Sequence, residues 1–132
     1  MSILLDTHVL LWWCTAQSRL PEEYRLALAR VESEGGRANI SVISFWEIAK
    51  LFEKNRIQVT STLDELVHQI ESDPLFQILP LSGRIASEST RLGHNFPRDP
   101  ADQLIAATAR CHGLRLMTAD DDIRASNMVA LF

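Results

Sequence analysis

Acidic residues stand where short apolar runs end or helix patterns begin. Asp6 follows ILL and precedes THVLLWW. Glu47 lies in SVISFWEIAKL, Asp99 and Asp102 in PRDPADQLIAATA, and Asp120 closes LRLMTAD. In an open α/β sheet such positions converge outside the carboxyl ends of the strands, where ligands bind. Like charges gathered there repel unless a cation sits among them or some of them take up protons. An all-oxygen ligand set suits Mg²⁺ or Mn²⁺. One such ion with a positioned water, or two ions ~3.5–4 Å apart, can clamp a phosphodiester and activate water against it. The residue types therefore point to metal-dependent phosphodiester chemistry.

Each acid also has a capping role open to it. Asp6 can cap the helix after the first strand. Ser44 and Glu47 match the S-x-x-E capping box. Asp99 before Pro100 reads as an N-cap followed by Pro at the first helical position. Asp102 falls in the first turn, where the helix dipole favours acids, and Asp120 can cap DDDIRAS. Caps account for the positions singly. They do not require acids at several separate places along one sheet edge. The histidines His8, His68, His94 and His112 show no metal-ligand spacing.

The elements that must position these groups alternate between short apolar runs and helical periodicity. SILLD, ANISV, FQILPL and LRLMT read as strands, and MVALF as a further one. Helices are expected from His8 to about Ala16, and from Pro21 to the Gly35–Gly36 pair. Another carries Phe45, Ile48, Ala49 and Phe52 on one face. Three more are expected from Thr62 with a Thr62–Glu65 capping box, over about Ser82–Leu92, and from Pro100 to Gly113. Near-continuous apolar strands between helices predict a parallel sheet covered on both faces. No linker, repeat or low-complexity stretch divides residues 1–132, which are expected to form one domain.

Composition narrows the partners. A net charge of −4 and a pI near 5.5 argue against coating nucleic acid with a broad basic surface. They leave room for an enzyme that meets a few phosphates through bound metal. Arg84, Arg91, Arg98 and Arg110 flank the acidic segment, where solvated helix faces or RNA-phosphate contacts both account for them. Cys14 and Cys111 lack metal-ligand spacing and fit buried free thiols in a reducing cytoplasm. No targeting segment is visible, and VLLWWC is far short of the ~20 apolar residues that span a membrane.

DTHVLLWW, the SFWEIAKL segment, RDPADQLIAATA and HGLRLMTADDDI, in this order and spacing, resemble the PIN-domain nucleases, and more narrowly the VapC-type toxins of type II toxin–antitoxin pairs. The resemblance spans nearly the whole chain. It implies a three-layer α/β/α sandwich with a central, mainly parallel sheet of four or five strands, and a Mg²⁺- or Mn²⁺-dependent endoribonuclease. It places the family's acids at Asp6, Glu47, Asp102 and Asp120, with Asp99 as an additional acid. It sets Thr7 and Thr118 beside them to orient ligands or water, and leaves Asp122 either to assist or to begin a solvated helix. It further implies an RNA substrate, a homodimer, and an inhibitory antitoxin that builds a heterotetramer or larger assembly and lays an apolar segment near the catalytic groove. Trp12 and Trp13 cannot share one direction on a helix, so one of them, or Trp46, is open to such a groove, or both lie under neighbouring helices.

Other readings compete. A phosphoryl-accepting receiver or haloacid-dehalogenase domain would want adjacent acids after the first strand and a Lys after the last, and Asp6 stands alone. A non-catalytic partner-binding domain would have no need of the full acid set. A housekeeping RNA-processing nuclease of the same fold shares every motif above.

Overall fold

The computed structural model describes residues 2–132. Four strands, β1 (Ile3–Leu5), β2 (Ala38–Ser41), β3 (Phe76–Leu79) and β4 (Arg115–Met117), form one sheet in the order β3-β2-β1-β4. All neighbours run parallel. Helices α1 (Thr7–Thr15), α2 (Glu22–Ser33), α3 (Ile43–Glu53), α4 (Leu63–Ser72), α5 (Gly83–Glu88), α6 (Pro100–His112) and α7 (Asp121–Ala125) connect and follow them, with a short 3-10 turn at Gln17–Arg19.

The period-2 alternation of a strand explains the three layers. Ile3 and Leu5 point into a core shared with Val9, Leu10, Leu28, Ile48, Leu66 and Ile70, from α1 to α4. Leu4 between them points the other way, to Leu92, Ile105, Ala106, Ala109 and Ile123. Both sheet faces are thus covered, which is why these strands read as unbroken apolar runs. Among the described residues no helix is long and apolar enough to cross a membrane.

Local chemistry fixes the ends of several helices. Thr62 and Glu65 form the reciprocal capping box that opens α4. Asp99 accepts from the Asp102 N–H at 3.1 Å, Pro100 holds the first position, and α6 stops at Gly113 in the left-handed conformation with φ 64°.

Three expectations are corrected. The Ser44–Glu47 capping box does not form: Val42 caps α3, so Ser44 lies inside the helix and turns its hydroxyl to Thr7. The helix expected to Leu92 ends at Glu88. Ser89 and Thr90 donate their hydroxyls back to the carbonyls of Ala86 and Ser87, a local competition with the helical ladder, and Gly93 turns the chain at φ 82°. The last strand, MVALF, shrinks to one bridge between Leu116 and Leu131. Strand β4 has three residues, and only its middle one turns its amide groups outward: Leu116 bonds the Ala130 carbonyl and the Phe132 N–H.

The strand order also locates the site. The chain leaves central β1 for β2 and β3 on one side, then returns to β4 on the other, so connections diverge around β1. Ligand crevices form at the carboxyl ends of strands at such a switch.

Candidate metal centre

Asp6 is the first residue past β1. Its N–H bonds the Met117 carbonyl at 3.0 Å, which ties it to β4. It is buried, and both carboxylate oxygens already take one hydrogen bond. The Thr7 N–H donates to Oδ1 at 2.7 Å and the Thr118 hydroxyl donates to Oδ2 at 2.6 Å. Thr118 spends its one proton on Asp6, and its oxygen also accepts from the Asp120 N–H at 3.1 Å. One hydroxyl thus joins the end of β1 to the loop carrying Asp120, across the switch.

Glu47 arrives from the first turns of α3. Its Oε1 takes the Thr7 hydroxyl proton. Since Thr7 has one proton to give, the contact of 2.9 Å between Thr7 Oγ1 and Ser44 Oγ is donated by Ser44. Thr7 and Ser44 are fully buried. The row Ser44, Thr7, Glu47 therefore aims the glutamate at Asp6 from behind. Ser44 was missed as a support because its spacing to Glu47 imitates a cap; the signal lies in β2 ending one turn earlier, which puts Ser44 at the inner face of α3.

Asp102, half-buried in the first turn of α6, completes a triad. Asp6, Glu47 and Asp102 each present an oxygen, all within 4.8 Å of one another. Asp99 and Asp120 stand further out and exposed, and each caps a helix. Asp99 binds the Asp102 N–H, while Asp120 Oδ1 accepts from Asp122 at 2.9 Å and Ile123 at 3.0 Å. Asp122 is solvent-exposed at the start of α7. At Asp6, which also caps α1 through the Thr7 N–H, the capping and clustering roles coexist.

The electrostatics follow from this packing. Burial raises the Asp6 carboxyl above its ordinary range, against the opposing hydrogen bonds of Thr118 and Thr7. Burial, then the charges of Asp6 and Asp99, push Glu47 up to about 7 despite the Thr7 bond. Burial, then Asp6, Asp99, Glu47 and Asp120, push Asp102 up to about 8. Among the described residues no Lys, Arg or His makes an ion pair with these acids. His8 lowers the Asp6 pKa without pairing with it, and no such ion pair holds the acids ionised together. A divalent cation supplies the balancing charge, and the donor set, carboxylates alone, fits a hard oxygen-seeking ion.

The match to a protein-family model for the PIN domain covers residues 3–127. This chain belongs to the PIN-domain family. The chain is similar to ribonuclease VapC22 of Mycobacterium tuberculosis, with 34% identity over 128 residues, spanning 94% of this chain and 91% of that protein. Among solved structures, VapBC2 from Rickettsia felis bound to a promoter DNA fragment superimposes with a TM-score of 0.71 at 16% identity. That match covers 100% of this chain and 98% of the other. A toxin–antitoxin complex from Klebsiella pneumoniae gives 0.64 at 23% identity, covering 98% and 96%. The sheet of this PIN domain is four-stranded and wholly parallel.

The tryptophans divide. Trp13 is in the core, while Trp12 is half-buried beneath Arg19, whose guanidinium lies 5.0 Å from the ring centroid. Trp46, next to Glu47, is 50% exposed. Arg110 is held by Glu88 and the Met128 carbonyl. Cys14 and Cys111 are free and half-buried, and burial pushes the Cys14 thiol up to about 12.

Proposed function

We propose that residues 1–132 form a single PIN nuclease domain that cleaves RNA internally with Mg²⁺ or Mn²⁺, as the toxin of a type II toxin–antitoxin pair in the cytoplasm. The observation that carries this reading is the triad of Asp6, Glu47 and Asp102, gathered with no ion pair to Lys, Arg or His among the described residues. Similarity to a protein named a ribonuclease supports the choice of RNA.

Asp6, Glu47 and Asp102 would hold the principal ion, with Asp99 and Asp120, which stand further out, completing its surroundings or holding a second ion or water. When bound, the cation supplies the positive charge that draws a phosphodiester to this acidic edge and lowers the pKa of water there. The chain's part is positioning. Thr118 and the Thr7 N–H fix the plane of the Asp6 carboxylate, and the Thr7 hydroxyl fixes Glu47. A side chain packed behind a ligand in this way keeps its orientation and raises its affinity for metal.

A groove of about 700 Å³ between the end of α1 and residues 51–59 would seat an antitoxin. Leu11, Trp12, Leu51 and Ile57 give it apolar surface and Arg19 and Arg56 give it charge, and His8, two residues along the chain from Asp6, also lines it. One structure sharing the fold is a toxin–antitoxin complex, which supports such a partner.

The test is RNA cleavage with Mg²⁺ or Mn²⁺, with and without chelator, and with the product of the neighbouring gene added back. Asp6→Asn should abolish cleavage with the fold intact, as should chelation, and the added protein should inhibit. Cleavage that survives in Asp6→Asn rejects the mechanism.

A further inference from the structure

Beyond the acids, a strap of two side chains, buried Tyr24 and exposed Arg124, runs from α2 to the loop after β4. Tyr24, in the first turn of α2, is buried and donates its hydroxyl to the Thr118 carbonyl at 2.7 Å. Arg124, on α7, donates through Nη1 to the Tyr24 hydroxyl oxygen at 2.8 Å and to the same carbonyl at 3.3 Å. Arg124 has no carboxylate partner among the described residues. The backbone explains why this carbonyl needs side chains. Met117 turns its carbonyl inward to Asp6, and Leu116 spends its groups on residues 130 and 132 at the outer side. By strand alternation the Thr118 carbonyl faces outward again, past the point where that pairing stops. Tyr24 and Arg124 take the place of the missing ladder. The Tyr24 ring is held edge-on to Phe132 at 5.7 Å between centroids, so its hydroxyl approaches from a fixed direction.

We infer that Tyr24 and Arg124 are positioning residues for the metal centre, acting through Thr118. Gripping the Thr118 carbonyl fixes the rotation of that residue's backbone, and its hydroxyl then bridges Asp6 Oδ2 and the Asp120 N–H. Arg124 also ties α7 to α2, which sets the height of Asp120, the N-cap of α7. Two acids on opposite sides of the β1–β4 switch are thereby held at one spacing by a pair of side chains that touch neither. The inference rests on the metal-dependent reading above and names which further residues tune it.

The experiment is calorimetric titration of the full chain with Mn²⁺, paired with thermal unfolding and RNA cleavage. The variants are Tyr24→Phe, Arg124→Gln, Thr118→Val and the double variant Tyr24→Phe/Thr118→Val. Thr118→Val should weaken Mn²⁺ binding by about tenfold or more, as loss of a group behind a metal ligand does. Tyr24→Phe, which keeps the ring packing, should weaken it by roughly threefold to tenfold on the same basis. It should lower kcat with KM for RNA unchanged. In the Thr118→Val background Tyr24→Phe should have no further effect on Mn²⁺ affinity, because the hydroxyl it orients is gone. A merely structural role predicts lower thermal stability, unchanged Mn²⁺ affinity in the folded protein, and equal effects in both backgrounds. That result overturns the inference while leaving the metal reading intact. Wild-type protein that takes up no Mn²⁺ overturns the metal reading itself, and this inference with it.

Discussion

Asp102 is pushed up to about 8 and Glu47 to about 7, so the metal-free site takes up protons that the unfolded chain would not hold. Both values lie above the ordinary ones of 3.8 and 4.5. Between about pH 4 and 8 the native state binds more protons than the unfolded one, and stability falls as pH rises through that window. Their favourable contribution is complete below the unfolded values and lost once pH passes about 7 and then about 8. Metal-free protein should therefore show a lower Tm at pH 8 than at pH 5. Mn²⁺ should raise Tm more at pH 8, where the ligands have shed their protons. Asp102→Asn removes one charge at constant shape. Both carboxyls are partly exposed, and water screens their repulsion. The variant should raise the metal-free Tm at pH 8 by a few degrees, the response of such a domain to about 1 kcal/mol, and leave it unchanged at pH 5. Scanning calorimetry at the two pH values reads this. An equal shift at both would show that charge repulsion is not what burdens the site.

At the scale of elements, the junctions between strand and helix do two jobs. Asp99 shows them separably: it caps α6 through the Asp102 N–H, and its charge raises Glu47 and Asp102. Asp99→Ser should keep the cap and lose the charge. Its Tm should stay near that of the wild type while Mn²⁺ affinity falls severalfold. Asp99→Ala should lose both, with stability down by about 1 kcal/mol, the usual cost of a missing cap. Titration and urea unfolding of the pair distinguish the jobs, and equal Mn²⁺ affinity in both variants and wild type would remove Asp99 from the site. This duality also explains what could be seen in the sequence. Asp99-Pro100 and Thr62-x-x-Glu65 are local signals, and they formed where they were written. The match Ser44-x-x-Glu47 is as good locally, yet helix α3 starts one residue after Val42, and Ser44 serves Thr7 instead. Local competition shortened α5, and the three-residue length of β4 reduced the C-terminal run to one bridge, neither of which an apolar pattern reveals.

Over the whole molecule, the parallel three-layer architecture was legible because Ile3, Leu4 and Leu5 are all apolar. Only a strand buried on both faces tolerates that. Asp6, Asp99, Asp102 and Asp120 stood out in the sequence because each follows a strand or opens a helix, whereas Glu47 lies in the second turn of α3. Which acids form the tight triad was not legible, since it depends on the depth at which α3 and α6 pass the sheet edge. Nor was the strap of Tyr24 and Arg124, whose partner is a backbone carbonyl and has no residue signature. The strand order β3-β2-β1-β4 brings these distant segments together at the switch beside β1, and the cation is what that convergence calls for. Crystals grown with Mn²⁺ and measured at the manganese absorption edge test this directly. The account predicts an anomalous peak enclosed by the carboxylates of Asp6, Glu47 and Asp102, lost in Asp6→Asn. An empty triad in crystals of the wild-type protein, or a peak seated elsewhere on the surface, would contradict it.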